Sequence, residues 1–239
     1  MRIYLDNNAT TAIHPEVLDV LNHHFRVTFG NASSIHQDGQ SARRVIEKAR
    51  EEVSALLHAT PREVVFTSGG TESNNAAIFG AAMTRSGRCH VVTSSIEHPS
   101  VLEACRRLER NGHPLTVVDC DSRGVVPAEA IAEALRDDTG LVALMLANNE
   151  TGVLQPVAVV GEICRSRGIH FHCDAVQGAG RFPLDVEAIG ATTLTVTAHK
   201  IHGPKGIGAL FVRSGCVLKP LLSGGAQERR RRAGTESVP

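Results

Sequence analysis

Five short apolar runs, at 63–66, 90–92, 141–147, 169–174 and 193–196, each give way to polar, chemically capable residues at their C-terminal ends. A sixth, at 209–212, follows a glycine-rich turn. Runs of this length bounded by polar residues predict strands buried on both faces. Between them the period changes. Residues 15–27 read as a helix with Pro15 in its first turn. Val45, Ile46, Ala49, Val53, Leu56 and Leu57 recur at helical spacing with charges between them, which predicts one amphipathic helix from Ala42 onward. Residues 76–83 predict another. Strand-like and helix-like stretches alternate to about Gly168, so the expected architecture is α/β, a mostly parallel sheet with helices on both faces. Residues 1–12 predict an extended N-terminal arm, and 13–239 one large domain, with no repeat or low-complexity linker inside it.

Composition narrows the function classes. The 239 residues are 42% hydrophobic and 21% charged, ordinary for a soluble globular chain. Lys+Arg and Asp+Glu both number 25, so no global field favours nucleic acid. The one basic cluster, Arg229 to Arg232, reads as a solvated or interface loop, because aromatics are only 3%. No apolar run approaches the ~20 residues a membrane helix needs. The start lacks the apolar core of a signal peptide. The six cysteines make no CxxC pair or zinc spacing. Cys105 and Cys164 fall in helix-like stretches, and Cys89, Cys120 and Cys173 in or beside strands, so these read as buried thiols. Cys216, in a turn, reads as the most exposed. Unpaired cysteines suit a reducing compartment, and the expected location is the cytoplasm.

The candidate chemistry centres on Lys200, just beyond the run at 193–196 and beside Thr197 and His199. A lysine held at the end of a buried strand can be desolvated and attack an aldehyde as a neutral amine. The aldehyde most often held this way is pyridoxal 5'-phosphate, PLP. Its phosphate would want backbone N–H groups at a helix start. Residues 67–75, with Gly69, Gly70 and Thr71, offer such a turn, although a hydroxyl-capped strand-to-helix turn of the ordinary kind reads the same way. Its pyridine nitrogen would want a carboxylate. Asp174 ends a strand, although a helix N-cap aspartate has the same signature. Asn148 and Asn149 follow the run at 141–147, Gln177 follows Asp174, and His98 follows the run at 90–92. All fall on the strands' carboxyl edge, where ligands bind in open α/β sheets.

With those stretches in place, the chain closely resembles the NifS/IscS-type cysteine desulfurases, PLP enzymes of the aspartate-aminotransferase fold (fold type I) in the class V aminotransferase group. The matching stretches are 4–11, 30–36, 67–75, 97–100, 148–152, 174–177, 199–208 and 232–236, in the family's order. The resemblance implies that Lys200 bears the cofactor, that Asp174 pairs with the pyridine nitrogen, and that His98 stacks on the ring and moves protons. It implies that Asn149 and Gln177 reach the phenolic oxygen, and that Gly70, Thr71, Thr197 and His199 hold the phosphate. Thr235 would reach the phosphate of a partner subunit in a homodimer. The implied reaction converts L-cysteine to L-alanine and passes sulfur as a persulfide, for iron–sulfur clusters or thiolated cofactors. An acceptor protein or iron–sulfur scaffold would be the further partner. No metal, nucleic acid or membrane is implied. Two departures stand out. Thr197 replaces the family's usual serine, and the chain stops at Pro239, before the family's small domain with its nucleophilic cysteine and substrate-gripping arginine. The resemblance therefore implies a truncated or split enzyme, its small domain largely missing and inactive alone. A different class V enzyme (a selenocysteine lyase or an aminotransferase) and a non-catalytic PLP-binding subunit remain the alternatives.

Overall fold

A computed structural model describes residues 3–84 and 87–239. Seven strands form a single sheet: β1 (Val64–Thr67), β2 (His90–Ser94), β3 (Leu115–Val118), β4 (Thr139–Met145), β5 (His170–Asp174), β6 (Thr193–Thr197) and β7 (Gly208–Val212). Their spatial order is β1-β7-β6-β5-β4-β2-β3. The pairs from β6 to β3 are parallel, and β7 runs antiparallel to both its neighbours. The fold is thus the mostly parallel α/β architecture the alternation predicts.

The helices are α1 (Pro15–Val27), α2 (Gln37–Leu56), α3 (Gly70–Ala82), α4 (Pro99–Arg110), α5 (Ala128–Ala134), α6 (Val157–Ser166) and the single turn α7 (Val186–Ile189). Helices α3 and α4 cover one face and α5 and α6 the other, which is why β4 is apolar from Leu141 to Met145. Val142 and Leu144 pack with α5 and α6, whereas Leu141 and Ala143 pack under α3 and α4. All four are fully buried. At ~1.5–3 kcal/mol per buried large aliphatic side chain, this two-sided burial is the main force holding the layers together. β5 divides by chemistry instead: Phe171 and Cys173 enter the α6 side, and His172 and Asp174 face α3.

Three sequence expectations change here. Helix α2 begins at Gln37, five residues before Ala42, because the His36 side chain accepts from the Gly39 amide and caps a polar first turn that carries no apolar signal. Cys120 is only partly buried, since β3 ends at Val118. The Arg229–Arg232 run is not a free solvated loop. Arg229 pairs with Glu47, Arg231 donates to the Arg62 carbonyl, and Arg232 pairs with Glu72. Glu228, Arg229 and Arg230 are all left-handed, with φ of 43°, 56° and 65°. Glu228 is anchored by a buried two-pronged pair with Arg50, at 2.6 and 2.9 Å. That pair offsets the cost of left-handed, non-glycine backbone.

Residues 3–12 of the expected arm form neither helix nor strand, and Met1 and Arg2 lie outside the described residues. The arm is tied down where Thr11 donates its N–H to the His199 carbonyl, at 2.8 Å. Among the described residues, no helix is long and apolar enough to cross a membrane.

Candidate active site

A cavity of about 370 Å³ opens where β1, β2, β4, β5 and β6 end. Its walls include Gly70, Thr71, His98, Asn149, Asp174, Gln177, Thr197, His199 and Lys200. The parallel strands thus bring together every predicted site residue but one. Thr235 is exposed and lines a separate, smaller hollow with Phe66, Ser68, Gly206 and Arg232.

The end of the cavity at α3 is built to approach an anion. Gly69 has φ 148°, a conformation that favours glycine, and it starts a 13-residue helix. No side chain caps this helix start. Its first N–H groups and the positive end of its dipole are therefore open to a ligand. Gly208 closes the turn from behind. A Cβ there would lie 2.8 Å from the Gly69 backbone, so only glycine lets β7 pass this close. The Thr197 hydroxyl, at the cavity wall, donates to the Ile207 carbonyl at 3.1 Å. The His199 ring meets the Thr10 hydroxyl at 3.2 Å.

Across the cavity sits the Asp174 carboxylate, 6% exposed. It accepts from the Val176 amide at 3.0 Å and from the Asn74 side chain at 2.7 Å. Burial pushes its pKa up, while those two donors, His98 and Lys200 oppose the rise. His98 caps α4. Its Nδ1 accepts from the Ser100 amide at 3.1 Å and lies 2.7 Å from the Ser100 hydroxyl, so a neutral ring carries its proton on Nε2.

Lys200 ends a short 3₁₀ turn, Ala198–Lys200, and donates from Nζ to the Asn8 carbonyl. Its pKa is lowered, first by burial and then by Arg181, with Asp174, Asp6 and Glu150 opposing. A lysine with a lowered pKa offers more neutral amine, the form that attacks a carbonyl. The Gln177 side chain donates to the Asn8 carbonyl at 2.9 Å and accepts from Arg181. Asn149, half-buried at the cavity wall, donates to Glu150 at 2.7 Å.

Sequence reasoning assigned no role to Asn8, Asn74 or Arg181. Asn8 and Asn74 lie within the stretches that carry the resemblance, and that was the signal available for them. Glu97, a charged residue beside His98 in the turn after β2, is buried. Its Oε1 accepts from Ser94 and Met145, at 2.6 and 2.9 Å, and its Oε2 has no partner. Burial, reinforced by nearby Asp174 and only partly opposed by its two donors, raises its pKa to about 8. Among the described residues, no cysteine lines the cavity. Cys216 is partly buried, 3.9 Å from His170 Nδ1, and burial raises its pKa despite Arg231.

Comparison with known proteins shows the family and the fold. Residues 3–238 match the family described as Aminotransferase class-V. A cysteine desulfurase of Nostoc sp. is 46% identical over 237 residues, covering 99% of this chain and 59% of its own length. The cysteine desulfurase IscS of Methanosarcina thermophila is 45% identical over 238 residues, again covering 99% of this chain and 59% of its own length. A solved structure titled SspA in complex with cysteine superposes with a TM-score of 0.97 at 38% identity, covering 99% of this chain and 69% of that one. The chain spans about three fifths of the length of the curated relatives it matches.

Proposed function

This chain belongs to the class-V aminotransferase family, and from that premise we propose that it forms the PLP-binding part of a cysteine desulfurase, releasing sulfur from L-cysteine and leaving L-alanine. The observation that carries the reading is the opposition of an uncapped helix start and a buried carboxylate across one cavity, with the Lys200 amine between strand end and arm. Both features suit PLP. The glycine turn at Gly69–Gly70 admits a phosphate without a Cβ in its way, and Asp174 suits a protonated ring nitrogen. In this reading residues 13–239 are the cofactor-binding domain and residues 1–12 an arm.

When bound, PLP supplies an electron sink for negative charge at the substrate's α-carbon. The chain's own residues do the rest. Gly70 and Thr71 present N–H groups to the phosphate, with Thr197 and His199 beside them. Asp174 holds negative charge at the ring nitrogen. Lys200 would hold the cofactor through its aldehyde, and as a neutral amine it would move the substrate's α-proton. His98 presents its Nε2–H into the same space and hands protons on. Asn149 and Gln177 have amide donors for the phenolic oxygen.

Sulfur removal also needs an accessible thiolate of low pKa. Burial raises the pKa values of Cys105, Cys164 and Cys173 as well as Cys216, so these four do not serve. Cys89 and Cys120 lie away from the cavity. We therefore assign the sulfur-accepting thiol to a residue other than these six. The same reading places the protein in the reducing cytoplasm as a homodimer, with the exposed Thr235 reaching the partner's phosphate and a sulfur-acceptor protein downstream.

The test is borohydride reduction of the chain after incubation with PLP, followed by peptide mapping. The reading expects one labelled lysine, Lys200. Label at another lysine, or none on folded chain, overturns it.

A further inference from the structure

Behind Asp174 lies a hydrogen-bonded chain that the proposed chemistry does not use. Asn74 stands at its centre, 1% exposed in the first turns of α3. Its amide nitrogen donates twice, to Asp174 Oδ2 at 2.7 Å and to Ser100 Oγ at 2.8 Å. Its carbonyl oxygen lies 3.0 Å from His172 Nε2. A carbonyl only accepts, so His172 must carry its proton on Nε2. His172 is fully buried, and desolvation, with His170 nearby, lowers its pKa to about 3. The ring is therefore neutral, and its Nδ1 is an acceptor for the Thr193 hydroxyl at 3.0 Å. The bonds run one way: Thr193 to His172, His172 to Asn74, Asn74 to Asp174 and Ser100.

Direction is the point of this arrangement. A flipped Asn74 amide would set its carbonyl against the Asp174 carboxylate, a repulsion inside a low-dielectric core, and would force His172 to move its proton to Nδ1. Ser100, having accepted from Asn74, is free to donate to His98 Nδ1. One amide thereby serves both the proposed ring-nitrogen partner, Asp174, and the proposed proton carrier, His98.

We propose that Asn74, locked by neutral His172, is a positioning residue that holds the Asp174 carboxylate ionised and aimed into the cavity, and through Ser100 keeps the His98 proton on Nε2. The proposal rests on the reading of Asp174 as the ring-nitrogen partner, but its test does not need the cofactor. The charged and titratable groups that act on Asp174 are His98 and Lys200, which favour its anion, and Glu97 and Cys173, coupled to it from below.

The experiment follows the Asp174 carboxyl carbon by NMR across pH in the full chain without PLP. Asn74→Leu, close in volume but without a donor, should raise the Asp174 midpoint by about one pH unit, a tenfold change in proton affinity. His172→Phe should raise it in the same direction, and His172→Gln, which can still donate to Asn74, should restore it. Should Asn74→Leu not fold, the His172 pair carries the same comparison. A midpoint unchanged in Asn74→Leu, or equal in His172→Phe and His172→Gln, overturns the proposal and leaves these residues a packing role. PLP uptake measured separately on the parent chain tells a failure of this proposal from a failure of the cofactor reading.

Discussion

Arg232 and Glu72 form an ion pair at 2.8 Å that joins the segment after β7 to the first turn of α3, beside the open helix start. Burial alone would push the Glu72 carboxyl up. Hydrogen bonds from Arg232 and the Ser68 amide outweigh it and hold the carboxyl below its ordinary value. The left-handed turn at Glu228–Arg230 lies just before Arg232 in the chain. Removing the arginine would leave an unneutralised carboxylate next to the helix start proposed to receive the PLP phosphate. Arg232→Gln is expected to weaken PLP binding by roughly fivefold, about 1 kcal/mol, read as a dissociation constant from absorbance titration. An unchanged constant would reduce the pair to a surface tether.

Gly208 offers a steric test of the same cup. Its missing Cβ is what allows β7 to lie against Gly69. Gly208→Ala must displace the Gly69 turn by tenths of an ångström or more, and that turn orients the N–H groups of Gly70 and Thr71. Cofactor affinity should fall by at least about tenfold while the chain stays folded, since the strain falls on a turn rather than on the core. Circular dichroism run alongside the titration separates the two effects.

Asp174 is assigned an electronic task, and the phosphate cup a separate one. Asp174→Ala should therefore retain PLP while slowing exchange of the substrate α-proton by about a hundredfold or more. Loss of the α-proton signal of cysteine in deuterated buffer gives the rate. Exchange as fast as in the parent would make Asp174 a structural residue at a strand end.

Glu97 yields a prediction about pH and stability. Its carboxyl is pushed to about 8 by burial and by the neighbouring Asp174, with Ser94 and Met145 opposing. In the unfolded chain it titrates near the ordinary 4.5. Between those values the folded state keeps a proton that the unfolded state has released, so stability falls as pH rises and levels off above the folded value. Glu97→Gln, neutral at every pH, removes this slope. Relative to the parent, the variant should gain on the order of a few kcal/mol between about pH 5 and about pH 9. Urea unfolding at the two pH values measures it, and a constant difference would mean that Glu97 is ionised in the fold.

Much of the architecture is legible in the residues one after another. The short runs mark strands because buried strands are rich in apolar and β-branched residues, and β4 and β6 lie where those runs predict. Lys200, Asp174, His98 and the Gly69–Gly70 turn are legible as chemistry because each stands just past such a run, and a parallel sheet sends all its strand ends to one edge. The start of α2 is less legible, because a polar first turn held by a His36 cap leaves no periodic mark.

What the amino-acid order determines, then, is which residues stand at the cavity's edge. Only the tertiary structure decides how they are held. Asn74 meets an aspartate 100 positions away, Lys200 meets the Asn8 carbonyl across 192, and Arg232 meets Glu72 across 160. The burial of Glu97 and the tethering of the arginine run belong to the same class. Periodicity reports a residue's relation to its own helix or strand. A buried side-chain hydrogen bond depends on which other element packs opposite, and its direction on every donor and acceptor enclosed with it.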